Sequence, residues 1–367
     1  MKVTVILPTY NEVKNIRTVI EKIEEVFQKI SKYQCSILVV DDYSPDGTAQ
    51  EVKKLINIYG NIALLSKKKE GLGKAYFQGI NYAIDKMGAD IFFEIDADLS
   101  HDPEKIPQFL QRINKGADFV IGSRYVPGGS IPDNWGRQRK IYSICGNSIV
   151  RIGLGKLSIH DWTSGYRAIK REVFQKVNQN LDEFAGYTFQ VAFLDRAQKA
   201  GFKIAEVPIN FTDRKYGHSK IAPSDYIKNL LLYILANSTF LKYVIVGILG
   251  FTINAVGLEV FYQLGISPGM AAAMGAELSI ISNFYFNNMW TFAHKRIISL
   301  NKFVPKFIQF NLTSLGAIVI EWITVGLGTR IFGDATRFFF FTFSVIFLVI
   351  PYNFFIYNRF IWKTHER

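Results

Sequence analysis

The stretch Ile91-Phe92-Phe93-Glu94-Ile95-Asp96-Ala97-Asp98-Leu99-Ser100-His101-Asp102-Pro103 sets the architecture. An apolar run, Ile91–Ile95, gives way at once to a carboxylate-rich loop and a proline. Such a run reads as a buried strand, and Pro103 starts a helix over 103–115. The same unit recurs along the first half of the chain. Strands are expected at Val3–Leu7, Ser36–Val40, Ala63–Ser66 and Phe119–Ser123, with helices at Val13–Ile30, Thr48–Tyr59 and Gly73–Met87. Strands that alternate with helices form a mostly parallel, Rossmann-like α/β sheet, which binds ligands outside the carboxyl ends of its strands. The polar residues there are Pro8-Thr9-Tyr10-Asn11-Glu12, Asp41-Asp42, Asp96-Ala97-Asp98 and Arg124.

The composition breaks near residue 237. Residues 1–237 carry 33 Lys+Arg and 26 Asp+Glu (33 − 26 = +7), whereas residues 238–367 carry 10 and 5 (10 − 5 = +5). Within the second part, Phe240–Leu264, Gly269–Phe292, Phe307–Gly328 and Phe338–Trp362 each reach the roughly 20 apolar residues needed to cross a bilayer. An all-α domain of four transmembrane helices is therefore expected. Lys295, Arg296, Lys302 and Lys306 between the second and third stretches, with Lys363 and Arg367 in the tail, mark the cytoplasmic side. Four spans then place the N-terminal domain and both termini in the cytoplasm. The run Val3–Leu7 is too short for a secretory signal. The membrane is the plasma membrane in a prokaryote or the endoplasmic reticulum in a eukaryote. The net charge of +12 points to a lipid surface or phosphate-rich ligands ahead of nucleic acid. Two cysteines, Cys35 and Cys145, make no disulfide framework.

Three acids, Glu259, Glu277 and Glu321, fall inside the apolar stretches. They read either as a polar path or headgroup site, or as interhelical hydrogen-bonding groups, and the second is favoured. Ser279, Asn283 and Asn287 form one polar stripe, and Ala271/Gly275 with Ala272/Ala276 suit close helix contact. Ser224–Asn237, introduced by Pro223, reads as a helix on the membrane surface or as a buried helix of the soluble domain.

Asp96-Ala97-Asp98 offers hard oxygen ligands of the kind that hold Mg²⁺ or Mn²⁺ against substrate phosphates. Its placement after a buried strand favours that reading over a simple helix cap. His101 lies close enough to touch a metal or pyrophosphate, or to serve structurally. Phosphate-binding P-loop, dinucleotide G-x-G-x-x-G, zinc and serine-hydrolase signatures do not occur.

Several motifs in order carry a resemblance. Leu7-Pro8-Thr9-Tyr10-Asn11-Glu12, Val39-Val40-Asp41-Asp42 and Asp96–Pro103 resemble family 2 glycosyltransferases of GT-A fold, and more narrowly the dolichyl-phosphate mannose synthases. Gly122–Gly129 (GSRYVPGG), Asp161–Arg167 (DWTSGYR) and Val207–Lys220 (VPINFTDRKYGHSK) strengthen it. The membrane half resembles the GtrA-like domain of some of these synthases, mainly over Glu277–Phe292. The resemblance divides the chain into a catalytic domain (1–222), an interfacial helix (223–237) and a four-span domain (238–367). It implies inverting transfer of mannose from GDP-mannose to dolichyl or another polyprenyl phosphate. Pro8, Tyr10, Glu12, Val40 and Asp42 would line the nucleotide pocket. Asp96 and Ala97 would contact the donor, Asp98 would ligate the metal, and Arg124, Arg214 and Lys220 would hold phosphates. Ser100 stands where some relatives use Gln, so its direct ligation of the metal or a bridging water are both open. Ser123, Arg124, Arg137 and Arg139 are candidates for the acceptor phosphate, and Lys140 belongs to the same basic cluster. A phosphate acceptor is already largely dianionic at neutral pH, so no carboxylate is needed as an essential base. Two other readings stand beside this one: a UDP-glucose-dependent polyprenyl-phosphate glucosyltransferase, and a lipid-linked-sugar transporter served by the soluble half.

Overall fold

The computed structural model describes residues 1–213, 223–266, 268–333, 336, 339–340 and 343–362. The chain divides into two compact units, Met1–Ile152 with Lys156–Ala236, and Gly153–Gly155 with Asn237–Arg367.

The first unit runs β1 (Lys2–Thr9), α1 (Ile16–Lys29), β2 (Gln34–Asp41), α2 (Thr48–Tyr59), β3 (Ile62–Ser66), α3 (Leu72–Asp85), β4 (Ile91–Glu94), α4 (Ile106–Asn114), β5 (Phe119–Ser123), α5 (Arg137–Gly153), β6 (Arg167–Lys170), α6 (Arg171–Val177), α7 (Tyr187–Lys199), β7 (Ile204–Pro208) and α8 (Pro223–Asn237). The strands form one sheet in the order β3-β2-β1-β4-β6-β5-β7. β6 is antiparallel to both β4 and β5, and every other pairing is parallel. The expected parallel sheet is thus present, with one antiparallel strand inserted near its centre.

The central strands read as continuous apolar runs because helices cover both faces. β4 and β5 are buried at every position. Helix α1 buries Ile16, Val19, Ile20, Ile23, Val26 and Phe27 on one stripe of 3.6-residue period. It starts at Ile16 rather than Val13, because the Asn15 and Ile16 amides both donate to the Glu12 carbonyl in a tight turn. Helix α3 lies close enough that a Cβ on Gly79 would sit 2.8 Å from Val40 Cγ2 and 2.9 Å from Ile6 Cγ2. Only glycine permits that approach.

Helix α8 packs one side against the catalytic unit, as the buried-helix reading expected. Leu230, Tyr233 and Ile234 are buried, and the Tyr233 hydroxyl donates to Asp195 Oδ2 of α7 at 2.8 Å. Ile227, Leu231, Leu232 and Leu235 on its other side are exposed.

The second unit is helical: α9 (Thr239–Gln263), α10 (Pro268–Phe286), a π-helical turn at Asn287–Thr291, α11 (Leu300–Phe332), a π-helical segment at Ser344–Val349, α12 (Ile350–Ile356) and a last π-helical turn at Tyr357–Ile361. Helices thus occupy the first three apolar stretches and the described residues from 343 onward of the fourth. Among the described residues one, Thr239–Phe261, is long and apolar enough by itself to cross a membrane. The α9–α10 contact is as close as the small residues anticipated, since a Cβ on Gly257 would lie 3.0 Å from Gly275 Cα. Asn283 of the polar stripe packs against Gly250 of α9. An aromatic cluster closes one end, with Phe292 stacked on Trp362 at 4.3 Å and Phe310 on Tyr357 at 4.2 Å. Glu259 and Glu277 are exposed on this unit, and Glu259 accepts from Gln263 of its own helix at 2.6 Å. That replaces the expected interhelical pairing for Glu259. The side chains of Ala271, Ala272, Ala276 and Glu321, and the residues Lys363 and Arg367, lie outside the described residues.

Candidate active site

The loops after β1, β2, β4 and β5 leave the sheet along one edge. The segment entering antiparallel β6 joins them there, because Arg167 pairs with Glu94, the last residue of β4. Three of these loops hold a non-glycine residue at positive φ: Asn11 (59°), Tyr43 (49°) and Leu99 (66°). Such backbone costs energy and persists where surrounding contacts fix it.

Those contacts are dense between the first two loops. The Asp41 carboxylate accepts from Thr9 Oγ1 (3.0 Å), the Ser44 amide (2.9 Å) and Ser44 Oγ (2.6 Å). Ser44 Oγ also receives the Asn11 amide, and Thr48 Oγ1 receives the Glu12 amide. The Glu12 carboxylate accepts from Asn15 Nδ2 at 2.7 Å. Asp42 meets Lys67, which follows β3, at 3.1 Å, with both side chains less than one-tenth exposed. Burial raises the Asp42 carboxyl above its ordinary range, and Lys67 opposes that rise. Lys69 Nζ stands 3.5 Å from the centre of the Tyr10 ring. Pro8 and Tyr10 are partly exposed, whereas Val40 is wholly buried.

In the third loop, Asp98 Oδ1 accepts from the Ser100 amide at 3.0 Å, and Ala97, Asp98 and Ser100 are buried. Asp96 is one-third exposed and receives the Tyr76 hydroxyl at 3.3 Å. Its amide donates to His101 Nδ1 at 3.1 Å, and the other ring nitrogen faces its carboxylate at 3.9 Å. His101 is buried and stacks on Tyr166 at 5.1 Å. It therefore braces the Asp96 loop. Beneath the loop, Glu94 and Arg167 are both fully buried and approach to 3.9 Å. Burial pushes the Glu94 carboxyl up to about 7, against the pull of Arg167. Among the described residues no three His, Cys, Asp or Glu side chains converge into a ready metal cage. A buried carboxylate with a second one two residues away suits a divalent cation that completes its shell with substrate phosphates and water.

Arg124 is the best-anchored cation at this edge. Its Nε and Nη2 reach Asp161 Oδ2 and Oδ1 at 2.7 and 2.8 Å, its amide reaches Oδ2 at 3.0 Å, and Nη2 also donates to Thr163 Oγ1 at 2.8 Å. Asp161 is completely buried. Burial alone would raise its carboxyl, but the Arg124 charge and hydrogen bonds overcome that and hold it below the usual range. Among the described residues Nη1 carries no hydrogen bond. The segment that supplies Asp161 also reaches Asp96: Gly165 lies under its carboxylate, where a Cβ would sit 3.7 Å from both oxygens.

The acceptor candidates separate. Ser123 is fully buried at the end of β5, and its hydroxyl receives the Tyr125 amide at 3.4 Å. It closes the strand inside the fold, next to Arg124. Arg137 and Arg139 are exposed in the first turn of α5. Arg139 lies 3.9 Å from the Trp135 ring centre and pairs with Asp213 at 3.1 Å. Beyond that turn α5 exposes Ile141, Tyr142, Ile144, Ile149 and Ile152. Arg214, Lys220 and the Tyr216–Lys220 loop lie outside the described residues.

Sequence reasoning passed over Lys67, Asp161 and Tyr76. Lys67 was findable, because it directly follows the third strand and the strand-end rule applies to it as well. Asp161 stood inside a quoted motif, but its partner lies 37 residues away.

The glycosyl transferase family 2 model matches residues 4–178, and the GtrA/DPMS transmembrane domain model matches 242–362. The dolichol-phosphate mannosyltransferase of Pyrococcus furiosus is 34% identical over 339 residues, covering 89% of this chain and 92% of that one. The polyprenol monophosphomannose synthase of Mycolicibacterium smegmatis is 40% identical over 223 residues, covering 60% and 81%. Among solved structures, glucosyl-3-phosphoglycerate synthase from Mycobacterium tuberculosis aligns with a TM-score of 0.46 at 20% identity, covering 65% and 80%.

Proposed function

Since the chain belongs to glycosyltransferase family 2 and joins that domain to a GtrA/DPMS transmembrane domain, we propose that it is a polyprenyl-phosphate mannosyltransferase. It takes mannose from GDP-mannose, delivers it to dolichyl or a related polyprenyl phosphate at the cytoplasmic face, and inverts the anomeric centre. The observation that carries this reading is the convergence of Asp96, Asp98 and the Asp161-clamped Arg124 on one edge of the sheet. The exposed apolar side of α5 behind a basic first turn supports a lipid acceptor.

The reaction asks little covalent chemistry of the protein. The acceptor phosphate, with a second pKa near about 6, is already a nucleophile at neutral pH. Arg137 and Arg139 attract and orient it, and no side chain need remove a proton. Attack on the anomeric carbon expels the nucleoside diphosphate from the opposite side in one displacement, which gives the β-linked product. Arg124 Nη1 stabilises charge as it grows on that leaving group, and the Asp161 clamp fixes it beforehand. Tyr10 and the Asp42–Lys67 pair hold the nucleoside end, with Pro8, Glu12 and Val40 around it. Arg214 and Lys220 are proposed as further phosphate contacts. Asp98, with Asp96, would hold Mg²⁺ or Mn²⁺, which when bound supplies Lewis-acid neutralisation of the diphosphate. Ser100 belongs to the same shell.

The test is incubation of the full chain with polyprenyl phosphate, Mg²⁺ or Mn²⁺, and labelled GDP-mannose or UDP-glucose in parallel, followed by lipid extraction. Label in lipid from GDP-mannose is expected. Label from UDP-glucose alone would replace the sugar and nucleotide while leaving the site roles in place. Label from neither would overturn the reading.

A further inference from the structure

Asn147 sits on α5, almost completely buried, and both ends of its amide are used. Nδ2 donates to the His160 carbonyl, and Oδ1 accepts the Trp162 amide at 2.9 Å. One side chain thus clasps the peptide units on both sides of Asp161, the residue that aims Arg124. Two other elements hold the same turn. Glu206 of β7 accepts the His160 and Asp161 amides at 3.1 Å, and Arg167 of β6 donates to the Ser164 and Trp162 carbonyls at 2.8 and 3.2 Å. One turn before Asn147 on α5, Ser143 hydrogen-bonds the Tyr125 hydroxyl at 2.7 Å, beside Arg124 itself. The inward stripe of α5 therefore reaches Tyr125, which follows the arginine, and the turn that carries its carboxylate partner.

Resting on the mannosyltransfer reading above, we propose that Asn147 is a positioning residue that fixes the aim of Arg124 through Asp161. A buried asparagine in a helix interior is unfavourable unless it is satisfied. Here its bonds go to a distant turn rather than to its own helix. The carboxylate of Asp161 must present two oxygens to Nε and Nη2 in one plane, so a rotation of the 160–162 backbone would swing the guanidinium off its line. Helix α5 also carries Arg137 and Arg139 in its first turn, so Asn147 ties the acceptor-side helix, through the Asp161 turn, to the leaving-group arginine.

The experiment is a double-mutant cycle in the full chain between Asn147→Leu and Arg124→Lys, read on kcat/KM for GDP-mannose and on thermal midpoint. Asn147→Leu is expected to lower kcat/KM by about tenfold to thirtyfold, the size of one misaligned charge-assisted contact. In the Arg124→Lys background the same change is expected to cost less than about threefold, since the aim is already lost. Asn147→Ala removes both bonds without adding bulk or charge, so it should match the leucine variant, and it carries the cycle where the leucine variant does not accumulate. Stability losses that add while activity losses do not would separate positioning from a purely structural role. Equal fold losses in both backgrounds, or wild-type kinetics for Asn147→Leu, would overturn the inference. Should the wild type transfer no sugar, the parent reading fails alone. The cycle is then read on affinity for GDP and UDP, where additivity still refutes the role of Asn147.

Discussion

Asp161→Asn is the sharpest perturbation of this site. The substitution keeps the shape and removes one charge from a pair in which the carboxylate is fully buried and the guanidinium only one-tenth exposed. It also turns an NH₂ group toward either Nε or Nη2 of Arg124, which need acceptors at 2.7 and 2.8 Å. Removing one partner of a buried pair costs about 3–5 kcal/mol, because the other charge stays buried without its counterion. For a unit of this size about 2–4 °C accompanies each kcal/mol, so the thermal midpoint should drop by roughly 6–20 °C. The Asp161 carboxyl is held below its unfolded value. Its stabilisation is therefore present above the unfolded pKa, about 4, and fades as pH falls through the folded one. The gap between wild type and Asp161→Asn should be full at pH 7 and should shrink on acidification below about pH 4. The Asp161→Leu/Arg124→Met double variant should regain much of the stability and none of the activity, since both buried charges are gone. Thermal unfolding of detergent-solubilised protein across pH is the assay. A midpoint within about 2 °C of wild type at pH 7, or a gap that widens in acid, would refute the clamp.

Other expectations follow from the same geometry. Lys67→Met removes a buried hydrogen bond to the Asp42 carboxylate, worth about 1.5–3 kcal/mol. GDP affinity by calorimetry should weaken by about tenfold or more, and an unchanged constant would detach this pair from the nucleotide. Gly79→Ala places a Cβ within 2.9 Å of two core side chains, so it should cost about 1–3 kcal/mol with little effect on affinity for GDP. Asp98→Asn should weaken the response of activity to added Mg²⁺ or Mn²⁺, and an unaltered metal titration would contradict its assignment. The pH–rate profile should follow ionisation of the acceptor phosphate near about pH 6 and stay level above it. A further ionisation on the acidic limb that vanishes with one carboxylate substitution would reveal an essential base.

Much of the catalytic unit was legible because the strands β1, β2, β4 and β5 are apolar runs ending in polar residues. That pattern follows from burial on both faces. The inserted strand β6 was not legible. It is four residues long, and its first residue, Arg167, is a fully buried charge that composition assigns to the surface. Its identity as a strand depends on Glu94 and Ile121, which flank it in the sheet and lie far away in sequence. The polar loops at the strand ends could be located, whereas the hydrogen bonds that hold them could not. Asp161 to Arg124 and Asn147 to Trp162 are long-range pairings that no local periodicity encodes. The burial of Ser123 at the end of β5 was likewise not legible from its motif.

The central claim, direct displacement by a lipid phosphate, is tested most directly by the anomeric configuration of the product. The full chain is supplied with GDP-mannose and polyprenyl phosphate, and the mannosyl lipid is isolated and examined by NMR coupling constants. A single mannose joined to the lipid phosphate in β-configuration is expected. An α-linked product, or mannose attached anywhere other than the phosphate, would contradict it.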